Sequence, residues 1–154
     1  METITIEIPE GYEIENFDKT TGRVSFKEKP KDIKKMIKNF SDVLKYHGID
    51  DNDFHHANEG LEGDEIAYRK IKLIVSAYNL KEVPDYNNSN QRKYEPRFYI
   101  PSSSGAGFSY DDYDDWVTYS GVGSRLCFLD YDNMIDATIK FLDVYEEFIT
   151  TKSN

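Results

Sequence analysis

Two hydrophobic periods divide the chain. Near the N-terminus Ile4, Ile6 and Ile8 alternate with polar residues, the period-two signature of a strand. Pro9-Glu10-Gly11 punctuates it, Tyr12 to Phe17 continues extended, and Asp18 to Gly22 reads as a turn. Arg23 to Lys27, with Val24 and Phe26, returns as a second strand, so an N-terminal hairpin or meander is expected. Lys27 to Lys31 is a charged link containing Pro30. The period then changes: Ile33, Met36, Ile37 and Phe40 are spaced for a short helix. Ser41 is placed to cap a second helix carrying Val43 and Leu44, which Gly48 would end. Asp50 to Asn58 predicts a further short helical turn. Asp64 to Asn79 predicts a full helix. Ala67, Ile71, Ile74, Val75 and Tyr78 form its apolar stripe, Glu65, Arg69, Lys70 and Lys72 lie off it, and Asp64 and Glu65 complement its dipole.

After Pro84 and the polar loop Asn87-Asn88-Ser89-Asn90, Lys93 to Ile100 reads as a strand. Pro96 interrupts it and makes it an edge or bulged strand. Ser102 to Gly107 is loop-like, Phe108 to Tyr119 extended, Gly121 and Gly123 a turn, and Ser124 to Phe128 a buried strand. Met134, Ile135, Thr138, Phe141, Leu142, Tyr145, Phe148 and Ile149 follow helical spacing, which predicts a long amphipathic helix over 132–149 capped by Asp130 or Asp132. With no internal repeat or composition shift, the expected architecture is one α+β domain over 1–154. It would hold a small, mainly antiparallel sheet, including the N-terminal hairpin, packed against the 64–79 and 132–149 helices.

Charge narrows the function classes. The 154 residues carry a formal net charge of −10. Such acidity argues against general nucleic-acid binding, which draws its strength from cations released against phosphate, and against anionic membrane surfaces. No run approaches the ~18 apolar residues of a membrane span, and Met1-Glu2-Thr3-Ile4 lacks the positive start of a secretory leader. Cys127 is the single cysteine, so no intrachain disulfide forms; in Leu126-Cys127-Phe128 it reads as a buried thiol in a reducing compartment.

Eleven of the chain's 22 aromatic residues fall between Tyr86 and Tyr131, interleaved with Ser, Gly, Asn and Asp. Rigid amphipathic rings beside small polar residues make recognition surfaces. Arg92, Lys93, Arg97 and Arg125 are embedded among them. The candidate ligand-binding set is therefore Tyr86, Tyr94, Tyr99, Tyr110 and Trp116 for stacking, with Arg92, Arg97 and Arg125 for a phosphate. Salt bridges to the neighbouring aspartates and cation–π packing are the structural alternative. Asp111, Asp112, Tyr113, Asp114 and Asp115 form a dense anionic run, read as a solvated edge strand protected from aggregation, or as a partner-binding patch.

Catalytic and metal chemistry finds little support. Adjacent His55 and His56 point about 100° apart on a helix and fall short of the three or four ligands of a zinc site. Asp51-Asn52-Asp53 resembles the opening of an EF-hand loop, but His56 stands where that loop needs glycine and His55 where it needs an oxygen ligand. Gly105-Ala106-Gly107 and Gly121-Val122-Gly123 do not extend into a phosphate-binding glycine motif; the second, followed by Ser124 and Arg125, is the better candidate. There is no Ser/His/Asp order, nucleophile elbow or glycosidase-like carboxylate pair. A protein without catalysis, metal or cofactor is expected.

Several segments carry a resemblance. Ile8-Pro9-Glu10-Gly11-Tyr12-Glu13-Ile14 with Val24-Ser25-Phe26-Lys27, then Asp64-Glu65-Ile66-Ala67-Tyr68-Arg69-Lys70, then Val83-Pro84-Asp85-Tyr86-Asn87-Asn88-Ser89-Asn90-Gln91 and Gly123-Ser124-Arg125-Leu126-Cys127-Phe128 resemble a family of small proteins encoded by phages and prophages of Bacteroides-type gut bacteria. The resemblance spans nearly the whole chain. It implies a phage accessory protein in the cytoplasm of an infected bacterium, and it brings neither an activity nor site residues. The leading expectation is a counter-defence factor that sequesters a small anionic, nucleotide-like ligand. The alternative is a protein-interaction or virion-associated module, for a host or phage protein, built on the acidic-aromatic patch. A pocket between subunits of a homo-oligomer is compatible with either.

Overall fold

A computed structural model describes residues 5–28, 32–100, 107–119 and 123–150. The fold is α+β, and the chain divides into two compact units, Met1–Asp32 and Ile33–Asn154.

The first unit is a hairpin. β1 (Tyr12–Asp18) pairs antiparallel with β2 (Arg23–Glu28), with Ile14 opposite Phe26 and Phe17 opposite Val24. The turn is chemically specified. Asp18 Oδ1 accepts from the Thr20 N–H at 2.8 Å, Oδ2 accepts from the Thr21 hydroxyl at 2.6 Å, and Gly22 takes the left-handed φ of 70°. These bonds, led by that from Thr21, hold the Asp18 carboxyl below its ordinary pKa. Residues 5–9 form no strand, so the strand expected over 3–8 is absent where the chain is described; Thr3 and Ile4 lie outside the described residues.

In the second unit, α1 (Ile33–Met36), α2 (Phe40–His47), α3 (Asp51–His56) and α4 (Gly63–Tyr78) precede a second hairpin, β3 (Lys93–Tyr99) with β4 (Ser109–Trp116). After it come α5 (Tyr131–Lys140) and α6 (Leu142–Ile149). The strands form two separate two-stranded antiparallel ladders, not one sheet. α4 packs chiefly against α6 and α2, while β3 rests on α5. The stripe Ala67, Ile71, Ile74, Val75 and Tyr78 is buried, joined by Ile37, Val43, Phe128, Met134, Phe141 and Tyr145.

Local differences from the sequence reading have definite causes. α2 is capped by Asn39, whose side chain accepts from the Asp42 N–H at 3.1 Å, so Ser41 lies inside the helix and donates instead to Asp51 Oδ1 at 2.8 Å. Gly48 ends α2 in the left-handed conformation, as its position predicts. The expected strand 124–128 is a 3-10 turn over Ser124–Leu126, after which Phe128 makes one isolated bridge with Tyr94. The expected 132–149 helix is two: the backbone breaks at Phe141 (φ −118°, ψ 30°), which caps both pieces and buries its ring. β3 carries its bulge between Pro96 and Phe98, where the proline has no N–H to donate. The loop expected over 102–107 and the turn expected at Gly121 lie, for residues 102–106 and 121–122, outside the described residues.

Candidate functional site

The aromatic segment folds around a lysine. Lys93, at the start of β3, is fully buried. Its Nζ donates to the carbonyl oxygens of Asp85 (2.6 Å), Gln91 (2.9 Å) and Val117 (2.7 Å). Three donors meet three acceptors, so the ammonium is fully hydrogen-bonded without a carboxylate. It also lies 5.9 Å from the Tyr86 ring and 6.0 Å from that of Trp116, which stack on each other at 5.8 Å and 18°. The clamp ties the 85–91 loop to the end of β4. Tyr86 is thereby fixed, its hydroxyl donating to Ser124 O at 2.9 Å.

The arginines divide. Arg92 is bonded to Asp115. Arg97 spans Asp111 (3.6 Å), Asp112 (3.3 Å) and Asp114 (3.3 Å). The acidic run on β4 is thus largely matched by cations on and beside β3, the salt-bridge alternative read from the sequence. Tyr99 is exposed, and a hydrogen bond to Asp111, then that residue's charge, raises its pKa. Tyr94, Tyr110 and Tyr113 are half-buried against the helical core, with Tyr94 and Tyr113 edge-on to Tyr131. Trp116 is buried. The eight residues expected to bind ligand therefore do not converge on one place.

Of those eight, Tyr86 and Arg125 line one cleft of about 410 Å³, between the end of α4, the 80–86 segment and the 3-10 turn. The sequence reading missed its other charged walls, Lys72, Lys81 and Glu82. Among the described residues none of Arg125, Lys72 and Lys81 is ion-paired. Lys81 Nζ lies 5.3 Å from the Tyr46 ring and Lys72 Nζ 5.5 Å from that of Tyr68. Leu80 and Lys81 both adopt left-handed backbone, φ 53° and 66°, conformations that cost a non-glycine residue roughly 1 kcal/mol each. They are held by the Leu80 N–H donating to Ala77 O (2.9 Å) and the Lys81 N–H donating to Ser76 O (2.7 Å). A strained turn therefore delivers Lys81 to the cleft. The Leu80–Lys81 turn that does so has no glycine to mark it.

Asn79 anchors the cleft floor. Its Nδ2 donates to Cys127 O at 3.0 Å and its Oδ1 accepts from the Leu129 N–H at 2.9 Å, which joins the end of α4 to the segment bearing Arg125. Cys127 is wholly buried, and burial pushes its thiol up to about 11, so it is held as the neutral thiol. Among the described residues no group of three or more His, Cys, Asp or Glu is placed to hold a metal ion. Two of the three histidines make hydrogen bonds within the fold: His47 Nε2 is 2.9 Å from Leu73 O, and His56 Nδ1 is 2.7 Å from Glu59 Oε1. No described helix is long and apolar enough to cross a membrane.

No family model matches the chain, and searches of curated proteins and of solved structures return no match either.

Proposed function

We propose that this chain is a binding protein without catalysis that holds a small anionic, nucleotide-like ligand in the Arg125 cleft, as a phage accessory factor acting against a host defence signal in the bacterial cytoplasm. One observation carries the binding reading: three cations that have no carboxylate partner among the described residues line a single cleft of a protein whose net charge is −10. The cleft volume falls within the range of small-molecule sites, roughly 300–1,000 Å³. Strained backbone at Leu80–Lys81 supports it, because strain persists where function requires it. The resemblance to phage and prophage proteins supplies the biological setting.

The test is isothermal titration with pyrophosphate, comparing two variants. Arg125→Ala removes from the cleft a guanidinium with no carboxylate partner among the described residues and is expected to weaken binding about tenfold or more, the worth of one charge-assisted hydrogen bond. Arg97→Ala removes a cation already engaged by three aspartates and is expected to leave affinity unchanged. Equal effects of both, or no binding by the wild type, overturn the reading.

A second reading, a protein-interaction or virion-associated module, draws on the exposure of Tyr99 and Ile100 beside exposed Asp112 and Asp114. A basic host or phage protein would then be retained at low salt and released as salt rises. Retention that ignores salt counts against it.

A further inference from the structure

One carboxylate, that of Glu82, lines the cleft beside its cations, and one of its oxygens is held by a hydrogen bond. The Asp85 N–H donates to Gln91 Oε1 at 2.7 Å, which fixes the orientation of the Gln91 amide. Gln91 Nε2 then donates to Glu82 Oε1 at 3.0 Å. One oxygen of Glu82 is thus engaged, and Oε2 has no partner among the described residues. Glu82 also forms no ion pair with Lys72, Lys81 or Arg125, although it shares their cleft. Glu82 Oε1 is held by Gln91, and the ammonium groups of Lys72 and Lys81 lie over the Tyr68 and Tyr46 rings.

A ligand that satisfies both signs is anionic at one end and offers hydrogen-bond donors at the other. An oriented carboxylate oxygen suits the vicinal hydroxyls of a ribose, the role acidic residues take beside bound dinucleotides. Val83 and Pro84, with the Tyr86 ring, supply apolar surface for a flat base. About 410 Å³ holds one nucleotide and not an oligonucleotide.

Resting on the anion-binding reading above, we propose that the cleft takes a single ribonucleoside phosphate, its phosphate on the side of Arg125 and Lys81 and its ribose diol on Glu82. The test is isothermal titration of the full chain with adenosine 5′-monophosphate, its 2′-deoxy form and inorganic phosphate. The ribonucleotide is expected to bind about tenfold tighter than the deoxy form. Glu82→Gln, an isosteric change at an exposed position, is expected to abolish that preference while leaving or improving the affinity for inorganic phosphate. Gln91→Ala, which releases the carboxylate from its orienting bond, is expected to reduce the preference in the same direction. Unchanged thermal midpoints show that both variants are folded. Equal, Arg125-dependent binding of the ribo and deoxy forms overturns the diol assignment and leaves the anion site standing. Binding of inorganic phosphate alone does the same. No binding of any of the three overturns both.

Discussion

At the scale of single residues, the most consequential side chain is Lys93. Placing a lysine at the centre of an aromatic cluster is costly unless every donor is satisfied. Here the acceptors are backbone carbonyls from two stretches of chain, the 85–91 loop and the residue after β4, so one side chain joins the two. Lys93→Met fills the volume but leaves the carbonyls of Asp85, Gln91 and Val117 without their donor. The variant is expected to lose about 2–4 kcal/mol of stability, measured by urea denaturation. A loss below ~0.5 kcal/mol would show that water takes over those carbonyls. The sequence pointed to cation–π packing for the cations of this segment, which Lys93 shows, but gave no sign of the carbonyl clamp. Lys93 sits beside Arg92, and nothing in its neighbours tells a buried lysine from an exposed one; only the fold brings residues 85, 91 and 117 around it.

At the scale of elements, the β3–β4 hairpin sets like charges face to face. Glu95 lies directly opposite Asp114, an arrangement that destabilises a ladder. Asp114 is relieved by Arg97 at 3.3 Å; Glu95 Oε1 is buried and has no hydrogen-bond partner. Burial first, and the charge of Asp114 second, raise the Glu95 pKa. The Tyr145 hydroxyl is also buried without a hydrogen-bond partner among the described residues, its pKa raised by burial and then by the charge of Glu95. The folded protein therefore keeps the Glu95 proton to a higher pH than the unfolded chain does. Its contribution to stability is full below the usual glutamate range and is lost as pH rises through the raised value. Glu95→Gln is expected to be the more stable protein at pH 7 and to lie close to wild type at pH 4.5. A difference that stays constant between those pH values rules out Glu95 as its source.

Periodicity read these elements well where one face is buried. The 64–79 helix is present as Gly63–Tyr78, with the expected stripe in the core, because burial of that face enforces the period. It could not show the break at Phe141, since Lys140-Phe141-Leu142 contains neither glycine nor proline and the pattern continues through it. It also gave Ser124 to Phe128 an extended run, whereas Gly123 at φ 92° turns the chain into a 3-10 segment that ends at Leu126. The site was partly legible for a related reason. Tyr86 and Arg125 stand in a recognisable aromatic-arginine context. Lys72, Lys81 and Glu82 reach the same cleft from the end of a helix and a strained turn, and their composition is that of any solvated surface.

At the scale of the molecule, every residue of the buried apolar cluster lies in the second unit. A two-stranded hairpin is marginally stable by itself in water. A chain beginning at Ile33 is therefore expected to unfold cooperatively in urea, with retained near-ultraviolet signal from Trp116 and its neighbours. Loss of that transition would show that residues before 33 complete the core. Charge separation along the chain also belongs to this scale. The net −10 describes the average surface, while the cleft gathers cations that the average hides. Composition excluded a general nucleic-acid binder on the strength of that average, and a small anion makes a different demand from a polyanion.

The burial of Lys93 has a practical corollary. An acylating reagent applied to the native protein will modify the accessible amines and pass over Lys93, whose Nζ is sealed by three carbonyls and two rings. Peptide mapping of the labelled protein would then follow one amine whose reaction waits for the clamp to open. Its labelling rate, set against that of exposed Lys45, is an internal clock for the opening of the 85–93 region, readable without any engineered probe.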